Sequence, residues 1–193
     1  MSTRRKSLDT EKLVYLSVFT ALVIVLQCLA SFAFPKIGWL ELNIALIPVV
    51  LGAAFCNKWC STWLGFLAGF IIIFSPGTVG FMNFNPPATI LLVLLKGAAS
   101  GFVCGMVYSL FEKKNRYLAV LFAAITAPVV NTLVFSIGCF AFFYPLVEAS
   151  AKEGQSVFAA FIILFIGSNF LIELSLNILL SPTVTRLINI KKK

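Results

Sequence analysis

The chain has 193 residues, a formal net charge of +8 and a mean hydropathy of +1.01; 60% of its residues are hydrophobic and 11% are charged. Water-soluble domains carry about 25% charged residues, so this composition excludes an ordinary soluble fold and places the chain in a bilayer. The absence of His argues against the commonest imidazole metal and general-base sites, and no GxxxxGK[ST] loop is present for nucleotide hydrolysis.

Residues 1–12, MSTRRKSLDTEK, form a basic N-terminal segment. The apolar run from Leu13 to Phe34 is too long for a signal-peptide core and is followed by no clean small-x-small cleavage site, so it reads as a retained span. A span needs about 20 apolar residues. Further runs at 40–56, 59–75, 88–111, 117–143 and 156–188 bring the expectation to six transmembrane helices. The predicted fold is an all-α membrane protein: a compact six-helix bundle over 13–188, with a short basic tail at 189–193. The runs 40–56 and 59–75 are short and separated only by Asn57 and Lys58, which suits a tight hairpin of tilted helices or a partly re-entrant segment. The other breaks carry their own punctuation: Pro35-Lys36-Ile37-Gly38, Ser75-Pro76-Gly77, Asn85-Pro86-Pro87 and Glu112 to Arg116.

Lys and Arg set the expected orientation. With six spans, twelve cations fall on one side: Arg4, Arg5, Lys6, Lys12, Lys58, Lys113, Lys114, Arg116, Arg186 and Lys191 to Lys193. Lys36 and Lys152 fall on the other, and Lys96 lies inside a span. Both termini are therefore expected to be cytoplasmic, and the positive charge serves topology and anionic lipid rather than nucleic acid. The longer connections, 74–87 and 143–156, then lie outside. The first carries Phe74, Phe81 and Phe84 and no charge, as a lid over the helix ends would.

The strongest pointers to function are polar residues inside apolar runs. A charge near the bilayer centre costs about 2.5–3.5 kcal/mol on insertion scales, so it faces a cavity or a partner. Lys96 stands about ten residues into the fourth span, and Asn131 about fourteen into the fifth, after Pro128. Asn169, Glu173 and Asn177 form an i, i+4, i+8 stripe on the sixth. Asn43, Asn83 and Asn85 stand near the outer ends, where they can join from above. These groups suit a ligand with carboxylate, hydroxyl and amide groups. The plainer alternative is that Lys96 pairs with Glu173 and that the amides join helices by hydrogen bonds. The five Cys show no zinc-type spacing and read as small apolar fillers. No metal, cofactor or catalytic set is expected.

This organisation resembles the substrate-binding S components of energy-coupling factor (ECF) vitamin transporters. The resemblance rests on LELNIALIPVVLGAAF at 40–55, WLGFLAGF at 63–70, NPPATILLVLLKGAASG at 85–101, APVVNTLVFSIG at 127–138 and NFLIELSLNILLSP at 169–182. It implies a six-helix receptor in a prokaryotic cytoplasmic membrane that binds a vitamin and toppling in the membrane releases it. It also implies partners: a transmembrane coupling protein and two ATP-binding-cassette ATPases. Members of the family carry two small residues four apart on the first helix for docking; here the matching positions are Ser17 and Ala21, with Ser in place of the usual Ala. Within the family, pantothenate is the first choice of ligand, for its carboxylate, hydroxyl and amide groups, and riboflavin the next. A stand-alone carrier with Glu173 as proton carrier, and a lipid-modifying enzyme or assembly factor, are the other classes; the absence of paired acids, His or an exposed catalytic Cys weighs against the enzyme.

Overall fold

The computed structural model describes residues 2–33, 43–149, 151, 156–162 and 167–191. Among them there are helices and no strands: α1 (Ser2–Cys28), α2 (Leu46–Phe55), α3 (Lys58–Ile73), α4 (Val79–Phe84), α5 (Pro86–Phe111), α6 (Arg116–Phe142), α7 (Tyr144–Ala149), α8 (Val157–Phe161) and α9 (Ser168–Lys191). A π-helical turn, Leu29–Ala33, continues α1, and a 3-10 turn, Pro76–Thr78, precedes α4. The break at 35–38, Trp39 and Lys152 lie outside the described residues.

Four helical stretches are long and apolar enough to cross a membrane: Thr10–Phe32, Pro86–Phe111, Arg116–Phe142 and Asn169–Ile190. A fifth arises if α3 and the Pro76–Phe84 segment, bent by 72° at Ser75, count as one broken span. α2 is an apolar helix of 10 residues. The helix of the first span extends back through the basic N-terminal residues to Ser2.

Asparagines start three of these helices. Asn57 Oδ1 accepts from the N–H groups of Trp59 and Cys60 at 2.9 Å each, so the chain reverses between α2 and α3 in two residues. Asn115 does the same for α6 with Tyr117 and Leu118, and Asn85 caps α5 through Ala88 N–H at 3.3 Å, with Pro86 at its first position. Pro128 does not break α6, which runs through it from Arg116 to Phe142. The proline removes one backbone bond, but Ala124, Ala127 and Pro128 itself are packed in the interior, and the helix on both sides is held.

α5 is the central helix. The most extensive pairing among the described residues is α3 with α5, followed by α5 with α6 and α6 with α9. α3 and α5 meet backbone to backbone. A Cβ built on Gly97 would strike the carbonyl of Gly65, and one on Gly65 would strike the carbonyl of Gly97. One turn along, the Ser61 hydroxyl donates to the Gly101 carbonyl at 2.7 Å. Small residues give membrane helices the close approach that apolar side chains in apolar lipid cannot drive.

Two apolar clusters fill the bundle. One joins Val23, Val49, Leu64, Cys104, Val120 and Ile188 among others; the second joins Phe81, Leu92, Cys139, Phe143, Val147 and Phe161. The α3–α5 seam carries a direct test. Gly97→Leu is expected to force the two backbones apart, at a cost of about 1–3 kcal/mol or more, and to lower the unfolding temperature in detergent by several degrees. Leu179→Ala, on an exposed face of α9, is the matched control; equal melting of the two variants would show that the seam is not tight.

Candidate functional site

Asn131 lies between the two apolar clusters, with Ala127 of the first cluster one turn before it and Phe135, packed on the second, one turn after. Lys96 stands likewise on α5, between Leu92 of the second cluster and Cys104 of the first. Both side chains are buried, Lys96 at 9% exposure. The Lys96 ammonium stands 4.9 Å from the centre of the Phe135 ring, a cation–π contact from α5 to α6. Lys96 forms no ion pair with Glu173 or any other residue among those described, so the expected alternative of a Lys96–Glu173 pair is not what neutralises either group. The Asn131 Oδ1 atom is buried with no hydrogen-bond partner among the described residues.

Glu173 is 2% exposed, and its Oε1 accepts from the backbone N–H of Asn43 at 2.8 Å. That bond joins α9 to the residue that opens α2, where the Asn43 carbonyl accepts from Leu46 N–H at 3.2 Å. A carboxylate held there also meets the positive end of α2. The Asn43 Oδ1 atom, like that of Asn131, is buried without a partner among the described residues. Asn177, one turn beyond Glu173, returns its amide N–H to the Glu173 carbonyl at 2.8 Å and shares a narrow crevice with Ile47, Val50, Val120 and Ala124. It is a packing residue where α2, α6 and α9 meet. Asn169 stands half-buried in the first turn of α9.

The structure thus joins Glu173 to Asn43 directly, and brings Lys96 and the helix face of Asn131 to a common aromatic, Phe135. Asn85 is set apart from these: its side chain is used as the cap of α5. Asn83 is exposed on α4. Of the lid aromatics, Phe74 and Phe84 are exposed, whereas Phe81 is buried edge-on against Phe135 and Phe143 at 5.8 and 5.2 Å. The 74–87 segment is therefore anchored to the ring that carries the Lys96 contact.

Two features escaped the reading of the sequence. Phe135 is one of twenty Phe, and only its position four residues after Asn131 on one helix face marks it. Gln27 is fully buried in α1 and donates to the Ser31 hydroxyl at 3.1 Å. Its signal was a lone amide on the stripe Phe19, Val23, Gln27, which alternates with exposed apolar positions. On the opposite face of α1, Ser17 and Ala21 are exposed beside Val14, Val18 and Val25. The Ser17 hydroxyl donates to the Leu13 carbonyl at 2.9 Å, which hides its polarity within the helix. The five cysteines are free thiols, with Cys104 and Cys139 buried as fillers.

Buried amide, ammonium and carboxylate groups, on a bundle of membrane-length helices, mark a multi-pass membrane protein with polar groups in its interior. The family model for the ECF transporter, substrate-specific component, matches residues 11–185, and the chain belongs to that family. No curated protein and no solved structure matches the chain.

The Glu173–Asn43 bond predicts a stability phenotype. Glu173→Leu leaves the buried Asn43 N–H without its acceptor, which costs about 1–3 kcal/mol, whereas Glu173→Gln keeps an acceptor oxygen. Thermal unfolding in detergent is expected to rank wild type above Gln and Gln above Leu; a Leu variant as stable as wild type would remove the bond from the fold's support.

Proposed function

We propose that this chain is the ligand-binding subunit of a vitamin importer, a six-span receptor in a prokaryotic cytoplasmic membrane with both termini in the cytoplasm. Its energy comes from an ECF transmembrane coupling protein and two ATP-binding-cassette ATPases. Family membership supports the receptor role, and the twelve-to-two distribution of cations supports the sidedness. The observation that carries the ligand chemistry is Lys96: a buried ammonium whose contact is a neutral ring, in a chain with few acids. An anionic ligand gains more from such a cation than the ring does, because a hydrogen bond to a charged group contributes about 1.5–3 kcal/mol.

Around Lys96 the proposed site takes Asn131, Asn169, Glu173, Asn43 and Asn85. Asn131 and Asn43 contribute amides with unused acceptors. Glu173 fixes Asn43, and Asn85 fixes the start of α5 and with it the depth of Lys96. A carboxylate with hydroxyl and amide groups matches this set, and pantothenate is the vitamin that combines them; riboflavin is the next. Native mass spectrometry of the purified chain with its retained ligand identifies the molecule. With that ligand, Lys96→Met is expected to weaken binding by roughly ten- to a hundredfold while the protein stays folded. Unchanged affinity would take Lys96 out of the site.

Ser17 and Ala21 are the proposed docking face for the coupling protein. Their exposure on α1 supports it, since small side chains on an open helix face admit a partner helix closely. Ala21→Trp is expected to bind ligand as wild type does but to lose ATP-driven uptake in proteoliposomes. Normal uptake by that variant places docking elsewhere, and uptake without any ATPase rejects the receptor reading in favour of a carrier.

A further inference from the structure

At the end of the bundle where α2 turns into α3, the last turns of α5 and Ile188 of α9 help to enclose a cavity of about 460 Å³. Its wall includes Asn57, Lys58, Tyr108, Ser109 and Glu112. The Cys56 thiol donates to the Lys12 carbonyl at 3.6 Å, which brings Lys12 of α1 to the same place. Tyr108 is 2% exposed, and its hydroxyl has no hydrogen-bond partner among the described residues. A buried hydroxyl in that state is costly, and here it belongs to a residue of a cavity wall.

Beside the cavity, the Lys58 ammonium lies 5.6 Å from the Trp59 ring centre and 5.3 Å from that of Phe102. Trp59 is 65% exposed. A tryptophan and a lysine together at a helix end mark the depth of lipid headgroups. The α5–α6 turn adds Lys113, Lys114 and Arg116.

We propose that this cavity binds the headgroup of an anionic phospholipid of the phosphatidylglycerol class. The phosphate diester accepts from the Lys58 ammonium and, once the wall shifts on binding to uncover it, from the Tyr108 hydroxyl, and the glycerol hydroxyls donate to Glu112. A carboxylate in the wall disfavours a free phosphate dianion but suits a headgroup that carries hydroxyl donors beside one negative charge. The cations around the rim favour an anionic lipid over a zwitterionic one.

The test is native mass spectrometry of the full chain in detergent, titrated with phosphatidylglycerol, phosphatidylethanolamine and phosphatidylcholine of equal acyl chains. Phosphatidylglycerol is expected to be retained at the lowest concentration. Tyr108→Phe, which removes only the unpartnered hydroxyl, and Lys58→Met are each expected to raise its half-saturating concentration by roughly fivefold or more. Lys114→Met, on the rim but outside the wall, is expected to raise it by less than about twofold. Equal retention of the three lipids, or an equal loss in Lys114→Met, would overturn the proposal in favour of general surface attraction. Complete displacement by glycerol 3-phosphate would overturn it in favour of a soluble phosphate. Retention unchanged in Tyr108→Phe and Lys58→Met, with capture of the purified coupling protein lost, would assign the cavity to a protein contact instead.

Discussion

Direct backbone contact between α3 and α5 is the constraint on which the rest depends. Gly65 and Gly97 each occupy the space that the other's side chain would need, and Ser61 closes the seam onto Gly101. Because lipid offers no hydrophobic reward for pairing helices, this fit and its hydrogen bond hold the pair. Lys96 precedes Gly97, so the seam fixes both the depth and the direction of the ammonium. With Gly97 against α3, Lys96 turns toward α6 and meets Phe135. A central helix clamped on one face is free to present polar groups on the other.

The buried polar groups are tolerated because each of the main ones is placed where something receives it. Glu173 is held by a backbone N–H of the residue that opens α2. Lys96 is held by a ring that is itself wedged by Phe81. Asn177 bonds to its own helix and packs. These arrangements leave the oxygen atoms of Asn43 and Asn131 as buried acceptors without partners among the described residues. The bundle thus holds some polar groups fixed and leaves others unused. The aromatic chain Phe143–Phe81–Phe135 joins the 74–87 segment to Lys96, so the placement of that segment and of the ammonium are coupled through packing.

α1 is built differently from the central helices. One face enters the core through Phe19, Val23 and the buried amide of Gln27, while Val14, Ser17, Val18 and Ala21 stand outside. The helix thus has one face in the bundle and one open face on which Ser17 and Ala21 stand. The charged end of the molecule, with Lys12, Lys58 and the α5–α6 turn, is distinct from both the polar belt and the open face.

By itself the sequence determined the class of protein and the breaks at Asn57, Ser75, Asn85 and 112–116. Low charge and long apolar runs require a membrane helical bundle, and Asn57, Asn85 and Asn115 each sit where a helix starts because a side-chain amide satisfies the first free N–H groups. Lys96, Asn131 and Glu173 were legible as buried polar groups, since a polar residue in an apolar run has few other places to go. The tertiary structure decided what each one meets. The sequence allowed Lys96 and Glu173 to pair, but one faces a ring and the other a backbone N–H, because helix rotation and depth are set by contacts between residues far apart in the chain. Pro128 removes one backbone bond from α6, and packing on both sides carried the helix through. The sequence made 40–56 a span, and the described part is a helix of 10 residues, because length in sequence does not say where a helix is nucleated or stopped. Gln27 and Phe135 had little local signal: an amide on α1 and one of twenty Phe acquire meaning only from the helices that close around them.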